Sequence, residues 1–174
     1  MNAEAKSYGE LALALGWSRT LGPVSDSLAL LAVREGAFDR ACAVMVDGLS
    51  APVAAAGGEA AVRLVYDALA NSELRDGAVA GLQAIESRVA PVDLDRSTRH
   101  RFMLWYAQLG ALDAAYATGN RLLDHFASFG SICTVWSVLW QPETEAFRSD
   151  ARFAPFCQRL GLPAYWARHG TPVR

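Results

Sequence analysis

Three histidines (His100, His125, His169) and three cysteines (Cys42, Cys133, Cys157) are the residues of this 174-residue chain able to ligate a metal or act as soft nucleophiles. None falls in a Cys-x-x-Cys, His-x-x-x-His or His-Glu-x-x-His spacing. Those short spacings bring two ligands onto one ion, so no metal site is expected. Cys133 falls in the first turn of an expected helix, where the dipole favours a thiolate, with His125 or His100 as its base. Its neighbours Ile132, Val135 and Trp136 argue instead for core, where cysteine buries as a small hydrophobe. Asp93 and Asp95 are placed to cap or charge the helix that follows them. Asp124 and His125 are adjacent, so on a helix their side chains diverge by about 100° and cannot orient one another. Gly57-Gly58-Glu59 has no preceding strand and no following Lys-Ser/Thr, so it is a poor phosphate cradle. With no clustered acid, base and nucleophile, the expectation is a protein that is not an enzyme and uses no cofactor.

Two other groupings could recognise a ligand. In Arg96-Ser97-Thr98-Arg99-His100-Arg101, Arg96 and Arg99 share a helical face and Arg101 turns away. This is either an anion or acidic-peptide site, or an exposed face pairing with Asp93 and Asp95. A net charge of −2 speaks against nucleic acid and against an anionic membrane surface. Trp136 and Trp140 are spaced i, i+4, and Phe147, Phe153, Phe156, Tyr165 and Trp166 crowd the same terminal region. The favoured reading is a hydrophobic cap closing a helical stack, with Arg148, Asp150 and Arg152 knitting it by ion pairs. A small-molecule pocket or catalytic site near these aromatics is the alternative.

The elements that must carry these residues are helices. Alanine occurs 32 times and leucine 21 times, against two isoleucines and six threonines. That balance favours helix and leaves little material for a sheet. Glycine and proline then cut the chain into short pieces. Glu4–Leu15 ends at Gly16. A helix capped by Ser25 or Asp26 runs to Glu35, and its partner runs from Ala37 to Leu49. Ala51–Gly58 is the most linker-like stretch. Helices follow over Glu59–Ala70, Ser72–Val89 (capped by Ser72), Asp95–Leu109, Ala111–Ala127 and Ser131–Trp140. Three small ones, Glu143–Arg148, Asp150–Leu160 and Pro163–His169, finish the chain. No segment reaches the roughly 18 apolar residues a membrane span needs, and the N-terminus lacks the pattern of a signal peptide. Cytoplasmic residence with reduced thiols is expected.

The pieces repeat. Gly36-Ala37-Phe38-Asp39-Arg40-Ala41 and Gly110-Ala111-Leu112-Asp113-Ala114-Ala115 share the pattern Gly-Ala-apolar-Asp-x-Ala, 74 residues apart, and Ala70-Asn71-Ser72 breaks the chain near the midpoint. Glycine ends one helix in the left-handed conformation, an acid starts the next, and alanine lets the two approach. Three such hairpins would stack as a helical repeat. The expectation is a single all-α domain over 1–174, with hairpins over 1–130 and a cap over 131–174.

Leu104-Trp105-Tyr106-Ala107-Gln108-Leu109-Gly110, followed by Asp113-Ala114-Ala115-Tyr116, resembles a degenerate tetratricopeptide repeat. Leu139-Trp140-x-Pro142, Phe147-Arg148-x-Asp150-x-Arg152-Phe153, Arg159-Leu160-Gly161-Leu162 and Tyr165-Trp166-x-x-x-Gly170-x-Pro172 resemble the closing segment of such regions in bacterial signalling and transcription-regulator proteins. Ala151 departs from that pattern, which has proline there. The resemblance implies an α-solenoid that binds a protein or peptide. In such a stack the first helix of each hairpin lines a groove, and Arg63, Tyr66, Arg99 and Tyr106 are the expected partner-binding residues.

Overall fold

A computed structural model of the chain describes residue 11, residues 23–129 and residues 139–170. The side chains of residues 23, 96 and 125–129 lie outside that description. Every regular element described is helical: α1 (Pro23–Arg34), α2 (Phe38–Asp47), α3 (Ala51–Ala55), α4 (Gly58–Ala70), α5 (Arg75–Arg88), α6 (Arg96–Gln108), α7 (Leu112–Phe129), α8 (Glu145–Ser149), α9 (Phe153–Arg159) and α10 (Leu162–His169). The expected helices over Glu4–Leu15 and Ser131–Trp140, and with them Cys133 and Trp136, fall largely or wholly outside the described residues.

Three antiparallel hairpins, α1/α2, α4/α5 and α6/α7, form the body, and α2 also packs against α4. The two copies of the Gly-Ala-apolar-Asp-x-Ala pattern close their hairpins with the same hydrogen bonds. Gly36 (φ 71°) donates to the Val33 carbonyl and Ala37 to that of Ala32. Gly110 (φ 78°) donates to the Ala107 carbonyl and Ala111 to that of Tyr106. This paired arrangement satisfies the last carbonyls of a helix and requires a residue at ease with positive φ. Ala41 and Ala115, equivalent in the two copies, are completely buried where each second helix is pressed inward.

The middle turn is built differently. The Asn71 carboxamide oxygen, not the Ser72 hydroxyl, accepts from the Glu73 amide, and Ser72–Leu74 forms a 3-10 turn before α5. At α6 the Asp95 carboxylate caps by accepting from the Thr98 amide at 2.7 Å. Ser25 and Asp26 do not cap α1. The helix already includes Pro23, a residue whose fixed φ suits the first turn, so both lie inside it and are buried. The stretch expected to be linker contains α3, whose Val53 is buried. Gly58 follows it so closely that a Cβ there would lie 2.6 Å from the Val53 carbonyl oxygen.

The C-terminal segment seats on the third hairpin through aromatic rings. Tyr116 on α7 stacks on Phe147 of α8 at 4.1 Å between centroids, and its hydroxyl donates to the Phe147 carbonyl. Phe156 of α9 meets both rings edge-on. Gly119 of α7 admits Phe156, since a Cβ there would lie 3.0 Å from its ring. Arg152 ties the segment down by ion pairs to Asp150 and Asp113 and lies over the Tyr116 ring. Among the described residues Arg148 has no ion-pair partner. It donates to the carbonyls of Leu139 and Gln141 and to the Thr144 hydroxyl, holding the turn before α8.

Candidate functional site

The first helices of the three hairpins converge. α1, α4 and α6, with Met45 of α2, enclose a crevice lined by Asp26, Leu30, Val33, Tyr66, Arg101 and Trp105 among others. Two helical stripes face each other across it. On α1 these are Asp26, Ala29, Leu30 and Val33, at i, i+3, i+4 and i+7. On α6 they are Arg101, Leu104, Trp105 and Gln108, at the same spacing. Each stripe opens on a charge and is apolar at its middle positions, the α6 stripe ending on Gln108, and the two charges meet. Arg101 Nε donates to Asp26 Oδ1 at 2.8 Å, with both side chains under a tenth exposed.

The rest of the guanidinium is unevenly served. Nη1 donates to the Gly48 carbonyl at 2.9 Å, whereas Nη2 is buried and has no hydrogen-bond partner among the described residues. Burial drives the Asp26 carboxyl above its ordinary value against the opposing pull of Arg101. Tyr66, which also lines the crevice, is buried, and burial raises its phenol's pKa. The enclosed space is about 20 Å³, the room of a single water molecule. At its other end α1 is held to the C-terminal segment, where Arg34 grips both Glu143 carboxylate oxygens (2.5 and 2.9 Å) and donates to the Gln141 side chain.

The four expected partner-binding residues do not lie together on an open surface. Arg63 is exposed and pairs with Glu59 one turn away on α4. Tyr66 is buried at the floor of the crevice. Arg99 is half-buried and bonds the carbonyls of Leu94 and Pro91, bracing the turn before α6 and pairing with neither Asp93 nor Asp95. Tyr106 is completely buried, and its hydroxyl donates to Glu86 of α5, which also accepts from Thr118 and Arg121 of α7. That cluster clamps the second hairpin to the third, and both burial and the Glu86 charge raise the Tyr106 pKa.

Asp26, Arg101 and Trp105 are the crevice residues that sequence reasoning missed. A signal existed: on each helix a charge stands three and four residues before two apolar positions of one face, and such charges are buried only when paired. Both described cysteines, Cys42 and Cys157, are free and buried. Burial pushes the Cys157 thiol up to about 11 and raises that of Cys42 as well. Among the described residues no three of His, Cys, Asp and Glu gather as a metal cage, and no helix is long and apolar enough to cross a membrane. Comparison with protein-family models, with curated proteins and with solved structures finds no match to this chain.

Proposed function

We propose that this chain is a non-enzymatic, tetratricopeptide-like interaction module of bacterial signalling or transcription regulation. It would bind a protein or peptide on the face built by α1, α4 and α6. The observation that carries this reading is the convergence of those three helices on one crevice lined by Met45, Tyr66, Arg101 and Trp105. Tyrosine, tryptophan, arginine and methionine are the side chains enriched where proteins meet. The identical closures at Gly36 and Gly110 and the buried pair Ala41 and Ala115 support repeated hairpins as its framework. A small-molecule pocket at the aromatic end draws less support, because Tyr116, Phe147 and Phe156 pack on one another there.

Site-directed photo-crosslinking tests the proposal. A crosslinking residue at Gln108, on the rim of the crevice, is compared with one at exposed Asp76 on α5, in cells that naturally make the protein. A polypeptide adduct at position 108 and none at 76 is the expected result. Equal adducts at both positions, or none at either, would remove the binding face.

A further inference from the structure

We draw no further inference here: the strongest candidate, the open groove of about 370 Å³ between Val79 and Gln83 of α5 and the Gly110–Ala114 closure of the third hairpin, carries nothing, because Asp113, the charged residue of its lining, is already paired with Arg152 and nothing in the structure shows what covers it.

Discussion

Replacing Asp26 and Arg101, singly and together, separates what their ion pair contributes from what it costs. Both side chains are almost wholly buried and joined at 2.8 Å, so removing either strands the other in a medium of low polarity. The two losses are unequal. Asp26→Leu leaves a guanidinium that cannot shed its charge, and the expected loss is about 3–5 kcal/mol of folding stability. Arg101→Met leaves a carboxyl group that burial already drives upward, and it can relieve itself by taking up a proton. Its loss should be smaller, and it should shrink from pH 7 to pH 5. The sign follows from linkage. A carboxyl whose folded pKa lies above its unfolded value binds its proton more readily in the native state, so unfolding becomes harder as pH falls through that window.

The double variant Asp26→Leu/Arg101→Met removes both charges and refills the space, and should lie within about 1 kcal/mol of the wild type or above it. Urea unfolding followed by circular dichroism gives all four corners of the cycle, provided the slope with denaturant stays constant. Losses that simply add in the double variant, or a larger loss for Arg101→Met than for Asp26→Leu at pH 7, would refute the reasoning.

Other consequences need single measurements. Gly58→Ala forces a methyl against the Val53 carbonyl and should lower stability by about 1–3 kcal/mol, whereas Gly77→Ala meets open space within α5 and should raise it by about 0.5–1 kcal/mol; thermal melts of both variants check the opposite signs. Phe147→Ala removes a completely buried ring that stacks on Tyr116 and meets Phe156 edge-on, a loss of about 3–5 kcal/mol in urea, against about 1 kcal/mol for Tyr116→Phe, which deletes only the hydroxyl. With its thiol raised to about 11 and buried, Cys157 should resist iodoacetamide at pH 8 until urea unfolds the chain; peptide mapping that finds it alkylated at a free-thiol rate in the native state would contradict its burial on α9.

Much of the framework was legible because it is written locally. Gly36 and Gly110 announce left-handed closures, since only glycine reaches positive φ without cost, and Asp95 three residues before Thr98 is a cap by spacing alone. The crowding of aromatics after position 139 was legible as mutual packing, and Phe147 and Phe156 do meet there, but their shared partner Tyr116 on α7 is set by tertiary packing. The site was less legible. Tyr66 and Tyr106 looked like groove anchors by residue type, but the packing of the hairpins buries both, and the Tyr106 hydroxyl is spent on Glu86. Arg99 is spent on two carbonyls of the turn just before its own helix, a use that residue type does not reveal. Arg101 and Asp26 stand 75 residues apart, and only tertiary packing decides that they meet.

Site-directed photo-crosslinking in cells that naturally make the protein tests the central claim most directly, because a binding face on α1, α4 and α6 must meet its partner at the crevice rim. A polypeptide adduct from position 108 and none from exposed position 76 on α5 is the result the account predicts. Equal adducts from both positions, or none from either, would contradict it.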